Sequence, residues 1–472
     1  MRYISTRGTA EPVDFEGALM TGLARDGGLY VPETWPTLTA DDLRSMRGLS
    51  YPEIAFRVMK PFVSPCIPDE DFKKIIDESY ATFVNHSVAP LTQLGPNLWL
   101  MELYHGPTLA FKDVAMQVLG RLYDYVLNKR DKRITVVGAT SGDTGSAAIE
   151  AIRGRSRASI FIMHPNNRTS EVQRRQMTTV DANNVHNIAI EGTFDDCQNL
   201  LKAMFNDHDF RDEIKISGVN SINWARIMPQ MVYYVAAAVS LGAPDRSINF
   251  TVPTGNFGDI FAGYAAKQMG VPIDKLVIAS NLNDILTRVM NTGAHTLGEV
   301  HPTMSPSMDI QISSNFERLL FDLYDRDGKA IADLMTQLTE DGTFTLGQAQ
   351  REKALKLFTA QRVDEEQTLK TIEMVYKQSE KLIDPHTAVG VEAAWREQDA
   401  AIDKTTPMVT LSTAHPAKFP ANVEKATGVH PPLPQHMLDL YDREERFVVL
   451  PNDLETVTTH IRKTLAAESQ TV

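Results

Sequence analysis

The strongest constraint on the fold is a regular alternation of short apolar strands and helical stretches that begins near residue 98. Predicted strands, which are short β-branched or apolar runs, lie at 134–137, 160–163, 188–190, 248–252 and 276–279. Predicted helices lie at 146–152, 195–205, 223–241 and 259–269. Strands separated by helices form right-handed βαβ units, which build parallel sheets. The sequence therefore predicts an α/β fold whose ligands bind beyond the carboxyl ends of the strands.

The length of the chain, 472 residues, exceeds what one hydrophobic core normally organises, so we expect several domains. Residues 1–90 mix short helical patterns with Gly and Pro and predict an N-terminal cap. Residues 91–240 are expected to form a smaller α/β domain, and residues 241–472 a larger one. The alternation is interrupted around 318–381, where long, charged helical patterns predict a helical insertion on the surface.

Charge and cysteine content exclude several classes of protein. The formal net charge is −13, with no local run of Lys or Arg, which argues against nucleic-acid binding. The two cysteines, Cys66 and Cys197, exclude a disulfide scaffold and lack the paired spacing of a zinc site, so we expect no metal. The sequence lacks a signal-peptide pattern and an apolar run that could span a bilayer. We therefore expect a cytoplasmic protein without a membrane partner.

A first glycine-bearing loop, residues 254–259 (TGNFGD), follows a predicted strand and opens a predicted helix. Gly255 and Gly258 let the backbone approach an oxyanion, while free amides and the helix dipole favour negative charge. The loop therefore suits a phosphate monoester. The same residues also fit a plain tight turn between a strand and a helix.

A second loop, residues 138–145 (GATSGDTG), has the same position between a strand and a helix. Its glycine spacing differs from the dinucleotide fingerprint, and no Gly-Lys-Ser/Thr follows as in a P-loop. Ser141, Thr144 and the turn amides could bind a carboxylate or a phosphate. Alternatively, the polar side chains simply cap the next helix.

Two further segments contain side chains suited to chemistry. Lys112 follows Leu109, Ala110 and Phe111, and a partly desolvated lysine can form a Schiff base with an aldehyde cofactor. Most lysines are instead solvated surface charges. Thr413 ends the apolar run that begins at residue 409. Its hydroxyl can hydrogen-bond a neutral ring nitrogen, or it can be an ordinary polar strand end.

Together these segments resemble the threonine synthase family of the longer bacterial and fungal type. The main matches are 105–113 (HGPTLAFKD), 140–148 (TSGDTGSAA), 253–259 (PTGNFGD) and 412–420 (STAHPAKFP). Further matches are 3–8 (YISTRG), 26–32 (DGGLYVP), 220–226 (NSINWAR) and 384–390 (DPHTAVG). Because the motifs occur in the family's order as far as about residue 420, the resemblance covers nearly the whole chain.

The resemblance implies a fold-type II pyridoxal-phosphate (PLP) enzyme, similar in its core to the tryptophan synthase β-subunit, with two parallel-sheet α/β domains. Lys112 would be the Schiff-base and catalytic lysine. The other cofactor-binding residues would be Gly255, Asn256 and Phe257 around the phosphate, Gly258 and Asp259 closing that loop, Thr413 facing the pyridine nitrogen, and Asp143 near the 3′-oxygen. An acidic residue at Asp143 departs from the asparagine of the wider superfamily and fits this subgroup.

The resemblance also implies the substrate and its contacts. The substrate would be O-phospho-L-homoserine, converted with water to L-threonine and phosphate. Ser141 and Thr144 would bind its carboxylate or phosphate, and Asn223 and Arg226 its phosphate. The alternatives are a sibling PLP enzyme such as a dehydratase, a Rossmann-type dehydrogenase using the loop at 138–145, and a catalytically silent binding protein. A monomer or a homodimer is expected.

Overall fold

The computed structural model describes residues 1–140, 142–401 and 403–470. Its strands are β1 Tyr3–Ser5, β2 Tyr30–Pro32, β3 Leu91–Gly95, β4 Leu98–Glu102, β5 Ile134–Ala139, β6 Ala158–Pro165, β7 Val185–Glu191, β8 Ile216–Ser217, β9 Ile248–Pro253, β10 Ile273–Ser280, β11 Ala294–Thr296, β12 Thr343–Thr345, β13 Phe358–Arg362, β14 Met408–Ser412 and β15 Val448–Pro451. Its α-helices are α1 Phe15–Thr21, α2 Ala40–Ser45, α3 Tyr51–Val63, α4 Asp69–Tyr80, α5 Lys112–Arg130, α6 Asp143–Ile152, α7 Glu171–Thr178, α8 Phe194–Asn206, α9 His208–Ile214, α10 Trp224–Ser240, α11 Gly258–Gln268, α12 Ile285–Thr292, α13 Phe316–Leu323, α14 Gly328–Asp341, α15 Gln348–Leu355, α16 Glu365–Ser379, α17 Pro385–Ala400, α18 Pro420–Thr427 and α19 Leu454–Gln470. The strands and helices predicted from the alternation are all confirmed, with ends that differ by at most a few residues.

The chain divides into two compact units, each built from two separated stretches. The first unit contains Met1–Ala115 and Ser221–Pro431, and the second contains Met116–Asn220 and Pro432–Val472. The consecutive domains expected above, 1–90, 91–240 and 241–472, stay a prediction. Within the described part of the chain, no helix has the length and apolarity needed to cross a bilayer.

The first unit is organised by a six-stranded sheet with the order β13-β10-β9-β14-β4-β3. Only β3 is antiparallel to its neighbour in this sheet. The interior strand β10 is buried along Leu276–Ser280, as expected for a strand with a neighbour on each side and helices over the sheet. Helix α17 covers part of the sheet, and its Val389 packs with Val277 and Met408 in one apolar cluster.

The N-terminal stretch of the first unit packs around Trp224 at the start of α10. Tyr3 of β1 and Phe62 of α3 lie with their rings 6.0 and 5.6 Å from the Trp224 ring, measured between centroids. Trp35 lies 6.1 Å away on the same basis. Aromatic packing of this kind fixes the N-terminal residues on the helix that begins with the matched segment 220–226.

The stretch around 318–381 is mainly helical, as predicted, with most of α13 and all of α14, α15 and α16. It also contains two strands that were not predicted, β12 and β13, and β13 pairs in parallel with β10 at the edge of the main sheet. Phe358 is fully buried opposite Leu276, whereas the next three residues of β13 are only partly buried. Because an edge strand with one buried end shows little apolar alternation, the charged helices on either side dominate the sequence pattern.

The second unit has a five-stranded, fully parallel sheet with the order β15-β7-β6-β5-β8. Its core joins Phe161 of β6 and Ile188 of β7 to Leu200 of α8 and Ile461 of α19. Helix α8 begins with a capping box between Thr193 and Asp196. The fold class predicted from the sequence, with two parallel-sheet α/β units, is confirmed.

Candidate active site

The arrangement of three neighbouring strands in the first unit determines where the predicted site residues lie. Strands β9, β14 and β4 are adjacent and parallel, with Thr410 opposite Thr251 and Ser412 opposite Glu102. Their carboxyl ends therefore lie at one edge of the sheet. The segments that follow them carry the Gly255 loop, Thr413 and Lys112.

The segment with Lys112 is bonded directly to the segment with Thr413. The Phe111 amide donates to the Thr413 carbonyl at 2.8 Å, and the His415 amide donates to the Leu109 carbonyl at 3.0 Å. Lys112 is half-buried at the first position of α5, with its Nζ 5.4 Å from the centre of the Phe111 ring. The structure thus places the predicted catalytic lysine and the predicted ring-nitrogen partner side by side along the backbone.

Two buried ionic side chains hold this lysine segment in place, and the sequence patterns gave no role to either. Asp113 accepts hydrogen bonds from the Thr108 amide at 2.8 Å and from the Thr108 Oγ1 at 2.6 Å. Lys418, which is fully buried, donates from Nζ to the Thr108 carbonyl at 2.8 Å. Both lie inside matched segments, 105–113 and 412–420, but spacing alone does not reveal which residue they contact.

The amides of the Gly255 loop are available to a ligand. Among the described residues, none accepts a hydrogen bond from the backbone amides of Gly255, Asn256, Phe257 or Gly258. These amides lie at the N-terminus of α11, where the helix dipole favours an anion. Phe257 is buried with a φ of +60°, a left-handed conformation that turns the backbone into the helix. The geometry fits a phosphate group.

The Gly255 loop packs closely against residues 307–315. A Cβ atom on Gly255 would lie 2.6 Å from the Ser307 carbonyl oxygen, so only glycine fits there without movement. The Gly255 carbonyl accepts from Ser313 Oγ at 2.7 Å. The Asn256 carbonyl accepts from the backbone amide of Asn315 at 3.1 Å and from its Nδ2 at 3.0 Å. Ser307, Ser313 and Asn315 are site residues that sequence reasoning missed, because no glycine or strand end marks them.

Two buried polar side chains, Arg318 and His386, hold the residues that pack against the Gly255 loop. Arg318 is fully buried and donates to the Asn315 Oδ1 and, at 3.0 Å, to the Tyr30 carbonyl. Burial lowers the pKa of Arg318 to about 9, so the guanidinium keeps its charge at neutral pH. His386 accepts from the Ser307 amide at 3.2 Å through Nε2, which leaves the Nδ1 proton to donate to Asp384 at 2.7 Å.

The Asp259 carboxyl group anchors the first turn of α11 to α10. It accepts from the Tyr233 and Tyr234 hydroxyls at 2.5 and 2.9 Å, and its other oxygen has no hydrogen-bond partner among the described residues. Burial raises the pKa of Asp259 to about 7, despite the two hydrogen bonds that oppose the shift. The role of Asp259 in closing the cofactor loop stays a prediction.

Asn223 and Arg226 lie at the start of α10 in the first unit. Asn223 caps the helix by accepting from the Ala225 amide at 3.0 Å, and its Nδ2 donates to the Leu19 carbonyl at 2.8 Å. Arg226 is 3% exposed in the first helical turn. A capping function explains Asn223 structurally, and the binding of a substrate phosphate by these two residues stays a prediction.

The remaining predicted residues belong to the second unit. Asp143 starts α6 and accepts from Gln173 Nε2 at 2.9 Å, while Thr144 is exposed. The Thr140 hydroxyl accepts from the Gly142 and Gly145 amides, both at 3.0 Å, so two amides of this loop are already occupied. Ser141 lies outside the described residues. The roles of Asp143, Ser141 and Thr144 stay predictions.

The fold, the unpaired amides of the described Gly255 loop and one family model together identify the class of protein, a PLP-dependent enzyme. The family model "Pyridoxal-phosphate dependent enzyme" matches residues 85–341, more than half of the chain. "Threonine synthase N terminus" matches residues 2–80, and "Threonine synthase, C-terminal" matches residues 387–461. The chain belongs to the threonine synthase family.

Individual relatives agree with this assignment. Threonine synthase from Pseudomonas aeruginosa is 56% identical over 462 residues, which cover 98% of each chain. The crystal structure of PLP-bound threonine synthase from Brucella melitensis is similar with a TM-score of 0.96 and 54% identity, covering 98% of this chain and 99% of that one. The yeast threonine synthase structure has a TM-score of 0.95 and 42% identity, covering 99% of each chain.

Proposed function

We propose that this chain converts O-phospho-L-homoserine and water to L-threonine and inorganic phosphate, as a PLP-dependent carbon–oxygen lyase. Family membership along the whole chain supports the reaction. The observation in the molecule that carries the proposal is the free set of amides at 255–258, which lies at the same sheet edge as Lys112 and Thr413.

The residues of this edge fit the cofactor. The Gly255 loop offers amides for a phosphate and a backbone that a larger side chain would displace. Lys112 supplies the amine that would hold the aldehyde carbon, and Thr413 supplies an uncharged hydroxyl for the ring nitrogen. PLP, when bound, supplies an electron sink for negative charge that develops on the substrate carbons.

The reaction determines what Lys112 has to do. Conversion of the substrate to threonine breaks the Cγ–oxygen bond to phosphate, replaces one Cβ hydrogen by the hydroxyl of water and adds a proton at Cγ. We assign Lys112 to move the proton at Cα, since a lysine amine held at the site can serve as a general base. Thr413 carries no charge that would keep a proton on the ring nitrogen. The amides at 255–258 are a separate source of fixed positive potential at the site.

Several narrower assignments rest on the resemblance alone. Contacts of Asp143, Thr144, Asn223 and Arg226 with the cofactor or substrate stay predictions. The cytoplasmic location and the monomeric or homodimeric state expected from the sequence also stay predictions.

The test is a product assay with O-phospho-L-homoserine, in which phosphate, threonine and 2-oxobutanoate are measured together. We expect equal amounts of phosphate and threonine. Lys112→Ala should lose both the visible absorbance of the bound cofactor and turnover, whereas the exposed Lys132→Ala should keep both. Formation of 2-oxobutanoate in place of threonine would indicate a dehydratase-type sibling, and binding without turnover would indicate the silent binding protein.

A further inference from the structure

A cavity in the first unit is lined mainly by residues to which the proposed reaction gives no role. Its volume is about 480 Å³, within the range of small-molecule pockets. Arg7, Gly27 and Leu29 from the matched segments 3–8 and 26–32 form one wall. Helices α13 and α14, strands β11 and β12 and the segment 312–314 provide most of the rest, and Lys112 and Thr413 are not among the lining residues.

One oppositely charged pair lies in the wall of this cavity. Glu317, with a side chain 7% exposed, accepts from Arg7 Nε at 3.3 Å and Nη2 at 3.1 Å, and from the Thr6 hydroxyl at 2.5 Å. Among the described residues, no acceptor is bonded to Arg7 Nη1, and the Arg7 side chain is 29% exposed. Arg7 therefore has a free edge for a carboxylate, and the Glu317 Oε2 has an acceptor position left for an ammonium group.

Most of the remaining lining is apolar, with His295, Ser313, Ser314 and Thr339 as its polar members, and part of it faces solvent. Leu23 and Ile312 are 43% and 54% exposed. Deeper in the lining, Phe316 and Phe344 are 2% exposed and Leu338 is 9% exposed. An opening rimmed by exposed apolar side chains is typical of a ligand site.

A buried, uncharged histidine lies in the same wall. His295 is 2% exposed, stacks on Phe344 with ring centroids 4.7 Å apart, and has a buried Nδ1 without a hydrogen-bond partner among the described residues. Burial lowers the pKa of His295 to about 4, so the ring is neutral and adds no charge to the cavity. The fixed charges are therefore those of Arg7 and Glu317, which sum to zero.

We propose that this cavity binds a free α-amino acid with an aliphatic side chain. The carboxylate of the amino acid pairs with Arg7, its ammonium group with Glu317, and its side chain with the apolar wall around Leu338 and Phe344. A zwitterion leaves the cavity neutral, whereas a simple anion or cation would add an unbalanced charge to a largely apolar wall. The cavity shares Ser313 with the packing of the Gly255 loop, but Lys112 and Thr413 are not among its lining residues, and the proposal does not depend on the proposed reaction.

The probe is L-leucine, titrated into the PLP-loaded protein by calorimetry while the visible absorbance of the cofactor is recorded. We expect saturable binding at one site with no change in that absorbance. Thr339→Trp should abolish binding, because Thr339 lines the cavity on the exposed face of α14 and the larger side chain fills it. Thr336→Trp is the matched control: Thr336 is exposed on the same helix, makes the same type of bond to a carbonyl four residues earlier and lies outside the lining.

Two leucine fragments test the charges. Isocaproate lacks the ammonium group and isoamylamine lacks the carboxylate. Each should bind about tenfold or more weakly than L-leucine, the loss expected when a charge-assisted hydrogen bond is missing. The proposal is overturned if L-leucine does not bind, if it changes the cofactor absorbance and so occupies the reaction site, if Thr339→Trp binds as well as Thr336→Trp, or if isocaproate matches leucine.

Discussion

Replacing Gly255 with alanine should weaken PLP binding without unfolding the chain. The added Cβ would lie 2.6 Å from the Ser307 carbonyl oxygen, whereas real Cβ atoms essentially never come closer than 3.0 Å. The backbone conformation of Gly255 is accessible to alanine, so the effect is one of contact alone. The His386 ring holds the Ser307 amide at 3.2 Å, and we therefore expect the Gly255 loop to move.

The expected loss of PLP affinity follows from the free energy needed to fit an extra carbon into a packed site. Such overpacking costs about 1–3 kcal/mol. If this free energy is lost from the contacts between the loop amides and the phosphate, the dissociation constant for PLP should rise about 5-fold to 150-fold. The assay is a titration of PLP into the cofactor-free protein, followed by the visible absorbance, with urea unfolding of the same preparation to measure stability separately.

Gly95→Ala provides the matched control for this experiment. Gly95 also has an ordinary backbone conformation, and a Cβ there would meet nothing within 4 Å. We expect its PLP affinity to stay within about twofold of the parent chain. The reasoning is refuted if Gly255→Ala binds PLP as tightly as Gly95→Ala, or if Gly255→Ala loses affinity only because the cofactor-free protein is unfolded.

Three further substitutions test the residues behind the loop. Asn315→Ala should weaken PLP binding about tenfold, because it removes the side-chain bond to the Asn256 carbonyl, and unchanged affinity would contradict this. Arg318→Lys should lower the free energy of unfolding by about 2–4 kcal/mol, since lysine cannot reach the same acceptors; urea unfolding at neutral pH checks this. Burial raises the pKa of Asp259 from 3.8 to about 7. At a pH between these two values, the Asp259 carboxyl group is therefore protonated in the folded chain and ionised in the unfolded chain. The free energy of unfolding should therefore fall by up to about 4 kcal/mol as the pH rises through this window, and Asp259→Asn should remove that fall. An identical pH dependence in the two proteins would show that Asp259 is not protonated in the fold.

The sequence predicted the parts of this fold that depend on local pattern. The β-branched run at 134–137 became β5, and the loop at 254–259 lies between β9 and α11 as expected. The rule that ligands bind at the carboxyl ends of parallel strands predicted the position of the Gly255 loop, whereas the pairing of β4, β14 and β9 in the structure adds Lys112 and Thr413 to the same edge. For β5 and the loop at 254–259, residue type and short-range order are sufficient.

What escaped the sequence depends on contacts between distant residues. Strand β13 is recognisable only through its pairing with β10, because its partly buried side chains show no clear apolar alternation. Asp259 was interpreted as part of a phosphate loop, yet its carboxyl group is bonded to two tyrosines 25 and 26 residues earlier in the chain. Asn315 lies 59 residues beyond the carbonyl that it binds, and no motif marks it. Pairings over such distances are set by the tertiary fold and leave no local signal.

The side-chain bonds to the loop explain why its amides are free. In a planar trans peptide, the carbonyl and the amide that follows it point in opposite directions. Ser313 holds the Gly255 carbonyl and Asn315 holds the Asn256 carbonyl, so the Asn256 and Phe257 amides are directed to the other face of the loop. Glycine permits the close approach, but side chains more than fifty residues further along the chain fix the direction in which the amides point. A glycine motif therefore identifies where an anion can bind, while the affinity for that anion depends on residues that the motif does not contain.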